Sequence, residues 1–192
     1  MEDFRASMET NYFGVLRCIH AFLPEMREKR RGCIINVSSI ASRIRRSPMG
    51  PYAASKFALE TLSEVVAQEV KPFNVRVAIV APDVIETPMA RGMVVPPGES
   101  LYPQCRRFAG LFGAALANPV LPSLVPEKIR DTIEAGTSRL RHPVGPDALP
   151  FLAWRGSMSD EEWANWGALD DDAWYDRVQR DFNLDARPKK CA

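Results

Sequence analysis

Cys33-Ile34-Ile35-Asn36-Val37-Ser38-Ser39, followed after a basic loop by Tyr52-Ala53-Ala54-Ser55-Lys56, sets a strand end beside a helix. The apolar run from Cys33 to Val37 reads as a strand buried in a parallel sheet. Ligands of open α/β sheets bind at the carboxyl ends of strands, and Ser39 falls at that end. Tyr52 and Lys56 are four residues apart in a helical stretch, so they share one face. An ammonium beside a phenol favours the phenolate and lowers the phenol's pKa. A phenol tuned in this way exchanges a proton with a substrate oxygen near neutral pH. Tyrosine and lysine at this spacing also occur by chance, and the pair alone favours two ordinary surface residues. Ser39, thirteen residues before Tyr52, turns the balance toward a site.

Working outward, residues Asp3 to about Lys29 read as one long helix with an apolar stripe of Met8, Phe13, Leu16, Ile19, Phe22 and Leu23. Gly32 marks its stop. The Tyr52 helix, Ala53 to Lys71, leads through a turn at Asn74 to a second buried strand, Val75 to Val80. Strand, helix, strand in this order predicts parallel pairing. Pro88 to Pro103 reads as an irregular flap. Helices are expected over Arg106 to Ala117 and Pro126 to Gly136, and a short last strand with its turn over His142 to Pro146.

Four motifs in this order and spacing resemble the short-chain dehydrogenase/reductase family: Thr10-Asn11-Tyr12-Phe13-Gly14, Ser38-Ser39, Tyr52 with Lys56, and Pro82 through Thr87. The match runs from about Phe4 to Met89, and more loosely to about Leu149. The resemblance implies a catalytic set of Asn11, Ser39, Tyr52 and Lys56. It implies NAD or NADP as cofactor, contacted by Tyr52, Lys56, Pro82, Ile85 and Thr87. It implies interconversion of a carbonyl and a secondary alcohol of a small-molecule substrate, and a homo-oligomer. Ser39 would bind the substrate oxygen, Tyr52 would move its proton, and Lys56 would hold the nicotinamide ribose. Asn11 would hold a water in a proton relay. Asp83 departs from the family, which usually has glycine there; its carboxylate would either face the cofactor or turn to solvent. The family's Gly-rich phosphate turn and its Asn-Asn-Ala-Gly strand do not occur among the 192 residues. The expectation is therefore an N-terminally truncated form; the alternative is a catalytically silent piece that serves in assembly.

The expected fold class is α/β: the C-terminal half of a Rossmann-like, doubly wound parallel sheet over residues 1–150. A helical, Trp-rich extension is expected over residues 151–192. Length fits one domain of this kind, and 46% apolar residues suffice for a core. A net charge of +1 gives no bulk attraction to nucleic acid or membrane, and no run is long and apolar enough to span a bilayer. A cytoplasmic location is the expectation. Cys18, Cys33, Cys105 and Cys191 form no paired motif, and Cys18 and Cys33 are expected to be buried. His20 and His142 lack the partners of a metal site. In the loop from Ser42 to Pro48, Arg43, Arg45 and Arg46 read as solvated, with Arg43 as the one placed to meet an acidic substrate. Phe108, Leu111, Phe112 and Leu116 suit either a hydrophobic substrate or a core. Trp163, Trp166, Trp174 and Tyr175 in the tail read as core cover rather than a docking face.

Overall fold

The computed structural model describes residues 1–94 and 100–188. Part of the flap expected over Pro88 to Pro103, and Cys191, lie outside the described residues. The elements are α1 (Glu2–Met8), a π-helical turn (Glu9–Phe13), α2 (Gly14–Glu28), β1 (Gly32–Val37), α3 (Ala41–Ile44) and α4 (Gly50–Val70). They continue with β2 (Val75–Pro82), α5 (Pro88–Gly92), α6 (Gln104–Ala115), α7 (Leu124–Glu134), β3 (Arg141–Val144), α8 (Ala148–Gly156), α9 (Asp160–Ala168) and α10 (Asp171–Phe182). The strands form one parallel sheet in the order β1-β2-β3. Gly32 pairs with Val75 and Val37 with Val80, while Ile79 pairs with Arg141 and Pro82 with Val144.

The chain clusters into two compact units. The first comprises Met1–Asp83 and Ser123–Leu152; the second comprises Val84–Pro122 and the chain from Ala153 onward. The sequence placed one boundary near residue 150. In the structure residues 84–122 group with the tail instead.

In the first unit β2 is central and buried nearly throughout, which its Val-Arg-Val-Ala-Ile-Val sequence allows. Val75 and Val77 meet Ile19 of α2 and Val66 and Val70 of α4. Arg76, between them, points the other way and donates to the Thr132 and Ile133 carbonyls near the end of α7. Alternation along one strand thus gives each sheet face its own helices. The long N-terminal helix is present, but its inward stripe is Val15, Ile19, Leu23 and Met26. Phe13 and Phe22 are 43% and 61% exposed, and Cys18 is exposed, contrary to the expectation of a buried thiol. Cys33 is half-buried. Ile19 and Leu23 face inward as expected, while Val15 and Met26 take the places expected of Phe13 and Phe22. The helix stop also differs: Arg30 takes the left-handed conformation, and Gly32 already belongs to β1. A Cβ on Gly32 would meet the Met26 side chain, 2.7 Å from its sulfur. Asn74 does sit left-handed at the turn into β2.

The second unit has its own core. Leu111 of α6 packs with Trp166, Trp174, Tyr175, Val178 and Ala186, flanked by Trp154 and Trp163. The tail tryptophans therefore form a core rather than an exposed patch. Leu111 and Phe108 are themselves buried, so they carry no sign of an apolar substrate. Arg107, also buried, pairs with Asp171 at 2.8 Å and donates to the Leu169 carbonyl, fastening α6 to the start of α10. Ser159 opens α9 with a capping box closed by Glu162. No helix among the described residues is long and apolar enough to cross a membrane. Trp174 is 1% exposed. Trp174→Ala is expected to destabilise the second unit by about 3–5 kcal/mol, read by denaturant unfolding; a loss below about 1 kcal/mol would show that the cluster is not its core.

Candidate active site

Four of the expected residues come together at the carboxyl end of β1. Backbone pairing with β2 continues beyond the strand: Ser38 N–H donates to the Val80 carbonyl at 2.8 Å and Ile40 N–H to the Pro82 carbonyl at 3.0 Å. Ser39 is held between these two bonds. Its hydroxyl lies 3.4 Å from the Pro82 carbonyl and accepts from Ala41 N–H at 3.2 Å. Pro82 thus reaches the site through its backbone oxygen.

Tyr52 and Lys56 lie one turn apart on α4, which starts with Pro51 in its first turn. The Lys56 ammonium is 5.8 Å from the centre of the Tyr52 ring and donates to the Val37 carbonyl at 2.9 Å. Burial pushes the Tyr52 phenol above its ordinary value, and the Ser39 hydroxyl opposes this by hydrogen bonding. Burial also lowers Lys56. The expectation that Lys56 lowers the phenol's pKa is corrected here. The ammonium is engaged by a backbone oxygen, and desolvation of the phenol dominates.

Asn11 lies in the π-helical turn of the N-terminal helix. Such single turns re-aim one side chain without ending the helix. Asn11 Nδ2 donates to Ser55 Oγ at 3.0 Å, and Ser55 Oγ donates to the Tyr52 carbonyl at 2.8 Å. Ser55, fully buried, is a contributor that sequence reasoning missed; its place between Tyr52 and Lys56 was the available signal. Ile85 and Thr87 belong to the second unit. There Ile85 bridges to Val120, and Thr87 Oγ1 caps α5 by accepting from Ala90 N–H.

Arg43 stays half-exposed, but its guanidinium is engaged by carboxylates of α4. Its guanidinium binds Glu60 at 2.9 Å and Glu64 at 3.1 Å. Among the described residues no group of three histidine, cysteine or acidic side chains is placed to hold a metal.

Asp83 takes neither of the two orientations expected of it. Its carboxylate lies under Gly145 and accepts from Asp147 N–H at 2.9 Å, ahead of α8. Gly145 has φ +104°, and a Cβ there would collide with the Asp83 carboxylate. Burial, with Asp147 nearby, pushes Asp83 up from 3.8 to about 6 despite the backbone donors. An acid whose folded pKa is raised stabilises the fold fully below its unfolded value and loses that contribution as pH rises through the folded one. The window here is from 3.8 to about 6. Asp83→Asn keeps an acceptor for Asp147 and removes the buried charge. It is expected to stabilise the chain by about 1–2 kcal/mol at pH 8 and to flatten stability across that window, as measured by urea unfolding at several pH values. An unchanged pH profile would show that Asp83 is effectively solvated.

The short chain dehydrogenase family model matches residues 1–95. The 3-ketodihydrosphingosine reductase of Bacteroides thetaiotaomicron is 48% identical over 81 residues, which cover 42% of this chain and 30% of that protein. Oxidoreductase BOA17 of Botryotinia fuckeliana is 31% identical over 172 residues, 85% of this chain and 62% of that one. A short chain dehydrogenase from Burkholderia cenocepacia, solved in complex with NADP, superposes with a TM-score of 0.57 at 28% identity, covering 91% of this chain and 58% of its own. The chain thus spans less than two thirds of the length of each. Taken with the parallel sheet and the grouping of Ser39, Tyr52 and Lys56, these matches make the chain a member of the short-chain dehydrogenase/reductase family.

Proposed function

We propose that this chain carries the proton-transfer site of a nicotinamide-dependent oxidoreductase that interconverts a carbonyl and a secondary alcohol. The observation that supports it best is the convergence of Ser39, Tyr52 and Lys56 at the carboxyl end of β1, with Asn11 tied to the Tyr52 backbone through Ser55.

The residues present fit a nicotinamide nucleotide. Lys56 has three N–H donors and gives one to Val37, which leaves two for a vicinal diol such as a ribose. When bound, the nicotinamide supplies or takes the hydride. Ser39 would donate to the substrate oxygen and hold negative charge developing there. Tyr52 would give that oxygen its proton in reduction, or take it in oxidation. Lys56 would hold the ribose. Asn11 would order a water that links Lys56 to solvent. Thr87 and the backbone at Ile85 would hold the carboxamide; the Thr87 hydroxyl accepts from Ala90 and keeps its own proton to donate.

The relative sharing 48% identity is named for reduction of 3-ketodihydrosphingosine, so a long-chain 3-keto compound is the first substrate to try. Assembly as a homo-oligomer would use the apolar side chains that the π-helical turn, α2 and α4 leave exposed, Phe13, Phe22, Phe57 and Val65.

Titration with NADPH and NADH, followed by nicotinamide fluorescence, tests the reading. Saturable binding that Lys56→Ala removes is expected. Tyr52→Phe, which loses one cofactor contact, should still bind saturably and lower turnover by about 10²–10⁴-fold. Turnover within tenfold of the parent in Tyr52→Phe would sink the mechanism, and a folded chain that binds neither nucleotide would sink the cofactor assignment.

A further inference from the structure

Glu60 is 2% exposed and lies on α4 one turn beyond Lys56, outside the set of residues just described. One carboxylate oxygen accepts from Ser42 Oγ at 2.6 Å and Ser38 Oγ at 3.3 Å. The other accepts from Arg43 Nε at 2.9 Å and Arg141 Nε at 3.2 Å. A carboxylate this buried stays ionised only with such partners. Desolvation raises its pKa, but Ser42, Arg43 and Arg141 together outweigh that and hold it low.

Ser42 carries the link to the reactive residues. Its hydroxyl also lies 2.7 Å from the Ser39 carbonyl oxygen. A hydroxyl has one proton, so that proton is shared between the Glu60 carboxylate and the Ser39 backbone. Ser38 precedes Ser39 directly, and it too is held by Glu60. The carboxylate therefore grips the chain on both sides of Ser39, from the helix that carries Tyr52.

We propose that Glu60 is a positioning residue that, through Ser38 and Ser42, fixes the Ser39 hydroxyl against the Tyr52 phenol. The proposal rests on the reading of Ser39 and Tyr52 as the proton-transfer pair. A purely structural Glu60 would tie β3 to α4 through Arg141 and leave the phenol unaffected.

The test labels tyrosine at Cζ with carbon-13 and reads Tyr52 by NMR in the full chain. There are four tyrosines, so Tyr52→Phe assigns the resonance. The chemical shift at pH 7 reports the hydrogen bond at the phenol oxygen, and the titration midpoint reports its proton affinity. Ser39→Ala is the reference and is expected to displace the resonance and raise the midpoint. Glu60→Gln and Ser42→Ala are expected to displace it in the same sense. Glu64→Gln, which removes only the outer half of the ion-pair cluster, is expected to leave it in place. A parental Tyr52 resonance in folded Glu60→Gln and Ser42→Ala overturns the proposal, as does one in Ser39→Ala. Should Glu60→Gln fail to fold, Ser42→Ala decides alone. No nucleotide or substrate enters the measurement, so its outcome is separate from that of the nicotinamide titration.

Discussion

Backbone pairing between β1 and β2 does not stop at Val37. It runs on through Ser38 and Ile40, whose N–H groups take the Val80 and Pro82 carbonyls. Everything at the candidate site depends on this extension. It holds Ser39 in register with a strand whose Ile79 and Val80 are wholly buried and which is paired on both sides. A slip of one residue would turn Ser39 to the other face of the sheet. The apolar content of β2 is thus not only core. It makes the register of β1 unique, and that register delivers one hydroxyl to one phenol.

Two carboxylates near the strand ends, Glu60 buried and Asp83 half-buried, show what the surrounding groups decide. Glu60 meets two guanidinium groups and two hydroxyls, and its pKa falls. Asp83 meets backbone N–H groups and the charge of Asp147, with no cation among the causes acting on it, and its pKa rises to about 6. Partial dipoles offset less desolvation than full charges do at the same burial. The first arrangement favours the ionised carboxylate that holds the turn. The second loosens as pH rises through the Asp83 value. In a chain where glycine is the family's usual choice, Asp83 fills the space that Gly145 leaves by lacking a Cβ.

Much of the fold was legible because it rests on local pattern. The runs Cys33 to Val37 and Val75 to Val80, the left-handed Asn74, the Ser159 capping box and the spacing of Tyr52 and Lys56 are each readable within a few residues. What was not legible joins distant parts of the chain. Asn11 meets Ser55 across 44 positions, Ser39 meets Pro82 across 43, and Arg141 meets Glu60 across 81. Periodicity tells which side chains share a face but not what that face meets. Hence Ile19 and Leu23 were read correctly as inward, but Phe13 and Phe22 were read with them although Val15 and Met26 take those places. The tail tryptophans were legible as buried, but the sequence carried no sign that residues 84–122 share their unit.

The phenol illustrates the same limit in electrostatic terms. Helical spacing places Lys56 beside Tyr52 and suggests that the ammonium governs the proton. In the folded chain the ammonium serves Val37, while burial pushes the phenol's pKa up and favours its protonated form. A protonated phenol is the form that donates. On the proposed reading, the chain as folded stands ready to give a proton to a carbonyl oxygen, and the reverse reaction must first make the phenolate. Burial raises the cost of that phenolate, and the influence that lowers it is the Ser39 hydrogen bond. Burial first, and the Ser39 hydrogen bond at the strand end second, act on the proton affinity of the phenol, and neither can be read from the spacing of Tyr52 and Lys56 along the helix.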